Sequence, residues 1–310
     1  MNAIVFTGPT LGADEARKEL DAIYLPPVAQ GDVYRAALKQ PRAIGIVDGY
    51  FDRVPSVWHK EILWAMSRGV AVFGSASMGA LRAAELAPFG MIGVGRIFED
   101  YRDGVIDADD EVAIEHGPPE CGYRILSEPL VNIRQTLRQA EQDGVIASAT
   151  ASDLVRIATS LFYPQRSYST LISLAHEKGL LASEVAALQA WIPTRQINQK
   201  RSDAIEMLRA MRAYLNNGSP VAANFVFERT ALWDELTRTA STMDSHEYQN
   251  VQAKGLLLPV RDVHRSPVSD DSLLHTISAL CVKYLRDRKT AAQTSESGEP
   301  SAHTAEPPVS

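Results

Sequence analysis

Two cysteines in 310 residues, Cys121 and Cys281, are too few and too far apart for a disulfide framework, and neither has the CxxC or histidine spacing of a zinc site. Long hydrophobic runs are missing too. No apolar stretch approaches the roughly 18 residues that a membrane span needs, and Met1-Asn2-Ala3-Ile4-Val5-Phe6 has no basic region ahead of its apolar residues. A soluble protein of the cytoplasm, without a membrane partner, is expected. Positive charge is outweighed, leaving a net charge of −7, and no Lys/Arg block interleaves with aromatics, so nucleic acid is not an expected partner. The first candidate turn, Thr7-Gly8-Pro9-Thr10-Leu11-Gly12, is neither GxGxxG nor a Walker sequence, which disfavours NAD and ATP. HExxH is absent, no acidic cluster has metal-ligand spacing, and Asp109-Asp110-Glu111 reads as a solvated turn. Neither a cofactor nor a metal is expected.

A hydrophobic content of 45% is enough for a real core. Before residue 100 the short apolar runs Ala3–Thr7, Ala22–Leu25, Ala43–Val47 and Val70–Phe73 alternate with amphipathic stretches at Asp32–Lys39 and Ser56–Arg68. Strand, helix, strand, helix predicts βαβ units and a mostly parallel sheet with flanking helices. Residues Asp107 to Leu126 alternate apolar and polar side chains around Gly117-Pro118-Pro119, which predicts an antiparallel hairpin at one sheet edge. From Pro129 the period becomes helical, over Pro129–Asp143, Ala151–Phe162, Tyr168–Lys178, Ser183–Trp191 and Gln199–Leu215. The fold class expected is therefore α/β: an α/β core over 1–127 and an α-helical C-terminal subdomain over 128–240. A weakly defined region over 241–285, including Ser272–Tyr284, and a disordered tail over 286–310, rich in Ser, Thr, Pro and Glu, complete the expected order.

The stretch Val70 to Leu86 reads as strand, tight turn and helix, with Gly74-Ser75-Ala76-Ser77-Met78-Gly79 at the turn. Small-x-Ser-x-Gly is close to a nucleophile elbow, with Ser75 where glycine is usual. Ser77 is either the nucleophile or an N-cap for the following helix. Trp58-His59-Lys60-Glu61 opens the preceding crossover helix, so Lys60 and Ser77 fall at the same carboxyl edge of the sheet. A Ser/Lys pair needs a neutral lysine, and His59 or Arg82 nearby could depress its pKa. His59 is the rival base, with Asp48 or Glu61 as its acid. The amides of Met78 and Gly79 are oxyanion candidates, and the loops Asp48-Gly49 and Gly8-Pro9-Thr10 either rim the same cleft or simply turn the chain.

These segments carry a resemblance. Gly8-Pro9-Thr10-Leu11, Gly45-Ile46-Val47-Asp48-Gly49-Tyr50-Phe51, Val57-Trp58-His59-Lys60-Glu61-Ile62-Leu63, Ser77 to Leu86, Phe98 to Gly104 and Asp109 to Ala113 resemble TfuA-like proteins, over roughly residues 3 to 145. The resemblance implies an accessory role in thioamidation of a peptide backbone, as in the biosynthesis of ribosomally made peptide natural products. The partners implied are a YcaO-type ATP-dependent enzyme, a ThiS-type ubiquitin-like sulfur carrier, and the substrate peptide held by the YcaO enzyme. It further implies hydrolysis of the carrier's C-terminal thiocarboxylate by a Ser–Lys pair, for which Ser77 and Lys60 are the matching positions. A non-catalytic adaptor and a general serine hydrolase are the alternative functions.

Overall fold

The computed structural model describes residues 2–50, 54–218 and 223–242. The expectations for Ser272–Tyr284, for the tail from 286 and for Cys281 lie outside the described residues.

The apolar runs become β1 (Ala3–Phe6), β2 (Ile23–Leu25), β3 (Ala43–Ile46), β4 (Ala71–Ser75) and β5 (Ile92–Val94). They form one parallel sheet in the order β2-β1-β3-β4-β5. Crossovers run through α1 (Ala13–Ala16), α2 (Asp32–Leu38), α3 (His59–Ser67) and α4 (Met78–Leu86), and α5 (Arg96–Arg102) follows β5. In this order the chain leaves β1 one way and β3 the other, so the carboxyl ends of β1 and β3 flank a topological switch point, where ligands of open α/β sheets bind.

The two faces of the sheet differ in side-chain size. Ile4, Phe6, Ile44, Ile46 and Val72 point to one face and pack with residues of α2, α3 and α4. Ala3, Val5, Ala43 and Ala71 point to the other, where α1 covers only part of the surface. The rest of that face is covered from far along the chain by α10 (Gln199–Asn217), through Ala204, Met207, Leu208 and Met211. Gly45 makes this approach possible, since a Cβ there would stand 2.7 Å from the Met211 sulfur. The helix begins at the carboxyl edge of the sheet and ends at the amino edge, where Arg42 Nη1 donates to the Leu215 carbonyl at 2.6 Å.

In sequence between α5 and α10 the chain builds a separate helical layer: α6 (Leu130–Gln142), α7 (Ser148–Ser160), α8 (Tyr168–Glu177) and α9 (Ala182–Arg195). Their apolar stripes, with Leu137, Leu154, Leu171 and Leu188 fully buried, make a core of their own. The helices beyond 128 therefore divide, α6–α9 packing on one another and α10 on the sheet. A last helix, α11 (Ala231–Thr242), brings Trp233 against Tyr34 and Trp64 at ring-centroid distances of 5.5 and 5.7 Å.

Two expectations are corrected. The antiparallel edge hairpin is reduced to one isolated bridge, His116 to Ile125, and β5 remains the sheet edge. Pro118 and Pro119 remove ladder donors, and left-handed Gly122 and Tyr123 (φ 62° and 55°) turn the chain before a ladder can form. Asp109-Asp110-Glu111 is not simply solvated either. Glu111 is buried and paired with Arg134 at 2.7 Å, while Asp110 meets the fully buried guanidinium of Arg166 at 2.5 Å. Arg166 also donates to the carbonyls of Asp110, Ala158 and Leu161, so this acidic run ties the α/β part to the helical layer.

Candidate active site

At the switch point Asp48, only 2% exposed, accepts from the backbone N–H groups of Gly8 and Thr10 at 2.9 and 3.0 Å and from the Thr10 hydroxyl at 2.6 Å. The loops after β1 and β3 are thus one hydrogen-bonded unit. Their turns do rim a cleft, of about 320 Å³, which Pro9, Asp48, Gly49 and Tyr50 line from this side. The volume falls in the range of small-ligand sites.

The turn after β4 supplies the other side of the floor. Ala76 is left-handed (φ 65°), and the Ser77 N–H donates back to the Ser75 carbonyl at 2.7 Å. This is a γ-turn with positive φ at its centre, a rare and strained form. It sends the two serines in opposite directions. Ser75 is fully buried and donates to the Val94 carbonyl at 2.8 Å, tying β4 to β5. Ser77 occupies the N-cap position of α4 and lines the cleft. Its hydroxyl accepts no cap hydrogen bond, so among the described residues it does not serve the helix it precedes. Gly74 and Gly79 set the packing beneath: a Cβ on Gly79 would lie 1.8 Å from the Ile46 carbonyl oxygen, and one on Gly74 would lie 2.2 Å from the Gly79 oxygen. Helix α4 is seated directly on β3 and β4 because neither residue has a side chain.

The remaining candidates separate. Met78 lines the cleft, whereas the Gly79 N–H donates to the Val47 carbonyl at 3.3 Å, which leaves Met78 as the better-placed oxyanion amide of the two. His59 lies on the protein surface, with Nε2 2.7 Å from Glu85, which also receives Arg82 at 2.7 Å. Burial raises the Glu85 pKa, but the His59 and Arg82 contacts outweigh it and hold the carboxyl below its usual range. Arg82 also donates to the Val57 carbonyl. Neither His59 nor Arg82 lines the cleft. Glu61 is fully buried and accepts from the N–H groups of Trp58 and Tyr34, joining the starts of α2 and α3; burial pushes its pKa up to about 7. Lys60 stands half-buried on α3, its Nζ 5.5 Å from the centre of the Phe227 ring, and is not among the residues lining the cleft with Ser77.

A different lysine is. Lys200, in the first turn of α10, is 3% exposed and reaches the cleft that Ser77 and Asp48 line. Its Nζ donates to the Val112 carbonyl at 2.8 Å, and its backbone N–H donates to Asn132 Oδ1 at 3.2 Å. Burial drives the Lys200 pKa below the usual lysine range, against Asp48 and Glu128, which pull it up. Sequence reading passes over Lys200 because it sits in a polar Gln-Lys-Arg-Ser run that looks like a solvated helix start. The one available signal is Asn198, whose side chain caps this helix by accepting from the Arg201 N–H and thereby fixes where α10 begins. The bridge-containing segment closes the remaining wall with His116, Gly117 and Pro118.

Among the described residues no group of three or more His, Cys, Asp or Glu side chains is placed to hold a metal ion, and no helix is long and apolar enough to cross a membrane. No curated protein matches the chain. Residues 48–167 match the family model described as TfuA-like protein, a segment that carries Asp48, the Ser77 turn and Val112.

Proposed function

We propose that this chain is an accessory protein of peptide thioamidation that releases sulfide from the C-terminal thiocarboxylate of a ThiS-type carrier, for use by a YcaO-type ATP-dependent enzyme whose hold on its peptide it assists. The observation that carries the reading is Ser77: it lines a cleft at the sheet's carboxyl edge, and its hydroxyl is not used as a cap. A TfuA-like segment spanning that turn supports the thioamidation context.

Ser77 Oγ attacks the thiocarboxylate carbon while a lysine takes its proton, Lys60 being the position matched by the resemblance. The tetrahedral oxyanion is held at the start of α4, sulfide leaves, and water hydrolyses the acyl-serine. The strained residue of the turn is Ala76, and among the described residues the Ser77 hydroxyl makes no cap hydrogen bond. The test is sulfide release from a thiocarboxylated ThiS-type carrier. Wild type is expected to release sulfide, and Ser77→Ala to lose at least roughly a hundredfold in rate. Equal rates would refute hydrolysis at Ser77; enhanced peptide binding by the YcaO enzyme without any sulfide release would favour the adaptor instead.

A further inference from the structure

We propose that the backbone edge at Ile114 and His116 receives the extended carboxyl-terminal tail of a second polypeptide, which pairs antiparallel with it and brings its end to Ser77. The inference rests on the reading of Ser77 as the place where a carrier's terminus is cut, and names the surface that holds that terminus.

Peptide geometry opens this edge on one side. The Glu115 N–H donates to Ser127 Oγ at 2.7 Å, the Leu126 N–H donates to the Glu115 carbonyl at 2.9 Å, and the Gly117 N–H donates to the Arg124 carbonyl at 2.8 Å. All three bonds point to the 124–127 segment. In a trans peptide the N–H and the C=O of one unit point in opposite directions, and among the described residues every peptide bond is trans. The Ile114 carbonyl, the His116 N–H and the His116 carbonyl therefore point the other way. The bridge of His116 to Ile125 is accordingly a pair without hydrogen bonds of its own, flanked by two that belong to its neighbours. Among the described residues those three outward groups make no hydrogen bond, although Ile114 and His116 are half-buried and line the cleft. Peptide groups drawn away from bulk water are normally paired, and a row of unpaired ones is a template for strand addition.

Burial along the segment sets the direction of the guest. Val112, Lys200 and Ser77 are buried, whereas Pro118 and Pro119 are exposed, so the segment runs outward from the floor of the cleft to its mouth. A chain that enters with its carboxyl end foremost runs inward, antiparallel to it. One guest residue then exchanges two hydrogen bonds with His116, and the residue two further on donates its N–H to the Ile114 carbonyl. The two prolines have no N–H and close the edge at the mouth. A cleft of about 320 Å³ takes a chain end and not a folded domain. Pro9, Pro27, Tyr50 and Met78 supply uncharged lining around it, so the guest is held by its main chain at every second residue.

The test uses the full chain and a fluorescein-labelled synthetic peptide with the carboxyl-terminal sequence of a ThiS-type carrier, read by anisotropy. A companion series carries an N-methyl group on one amide at a time. Alternate amides are expected to matter: methylation of the two that face His116 and Ile114 weakens binding roughly tenfold or more, and methylation of the one between them by less than about threefold. His116→Pro is compared with His116→Ala. Both lose the imidazole, but only proline loses the N–H, and the proline variant is expected to bind the unmethylated peptide roughly tenfold more weakly than the alanine variant. Methylation effects that are uniform along the peptide, equal binding by the two variants, or no binding up to about 1 mM peptide overturn the proposal. If circular dichroism shows that His116→Pro does not fold, the methylation series on wild type decides. Binding with the expected alternation but without sulfide release from the thiocarboxylated carrier refutes hydrolysis at Ser77 and leaves the edge as the docking site. Sulfide release without the alternation does the reverse.

Discussion

Gly79→Ala tests whether the Ser77 turn is held as described. The new Cβ would lie 1.8 Å from the Ile46 carbonyl oxygen and 2.6 Å from its carbon. A carbon–oxygen contact needs about 3.3 Å, so the start of α4 must lift from β3 by roughly 1.5 Å. The obstacle is backbone and cannot rotate aside. Overpacking costs about 1–3 kcal/mol even where side chains can yield. The lift also breaks the 3.3 Å bond from the Gly79 N–H to Val47, worth about 1 kcal/mol. A total near 3 kcal/mol should lower the thermal midpoint by roughly 6–12 °C for a chain of this size. Thermal unfolding by far-ultraviolet circular dichroism reads it. Gly12→Ala is the control, since Gly12 has φ −63° and open space around the added Cβ, and its midpoint should move little. A Gly79→Ala midpoint within about 2 °C of wild type refutes the close seating of α4 on Ile46, and with it the placement of Ser77.

Arg166→Met should cost about 3–5 kcal/mol, because Asp110 loses its buried partner and three carbonyls lose a donor; denaturant unfolding checks it, and a loss under about 1 kcal/mol contradicts the junction role. Asp48→Asn should stay within about 1 kcal/mol of wild type, since its amide can still meet Gly8 and Thr10, whereas Asp48→Ala strands two N–H groups and a hydroxyl and should lose at least about 2 kcal/mol. Burial raises Asp203 to about 6 although it caps α5 by accepting from the Ile97 N–H, so the folded state favours its protonated form. That contribution is full below the ordinary aspartate range and is lost as pH rises through about 6, amounting to about 3 kcal/mol. Thermal midpoints from pH 4 to 7 should therefore fall less in Asp203→Asn than in wild type, and parallel slopes would contradict this.

What was legible in the sequence follows from contact range. Strands such as Ala43–Ile46 and turns such as Ser77-Met78-Gly79 declare themselves through neighbours a few residues away, so the parallel sheet and its carboxyl-edge serine could be read directly. β5 and α5 escaped notice because Ile92-Gly93-Val94 is too short to show a period. The hairpin was misread because the alternation of Val112, Ile114 and Ile125 serves a cleft wall and cavity lining rather than a sheet face. Glu61 reads in the sequence as an acid for His59 and Arg166 carries no sequence signal; only the folded chain shows the amides and carbonyls that bury them. Lys200 has no such local signal: its place at the cleft depends on Gly45 admitting Met211 and on Asn132 holding the start of α10, contacts made across long stretches of chain.

The covering of the second sheet face by α10 has a consequence for synthesis. All five strands and Ser77 have been translated by Val94, but the helix that shields Ala3, Val5 and Phe73 is complete only at Asn217. At 5–20 residues per second the half-built sheet stays bare for roughly 6 to 25 seconds. During that interval the nascent chain shows an apolar strand surface and a cleft still lacking its lysine. Ser77 and Lys200 thus line one cleft only after the helical layer has emerged, so the cleft takes its final form only on the nearly finished chain.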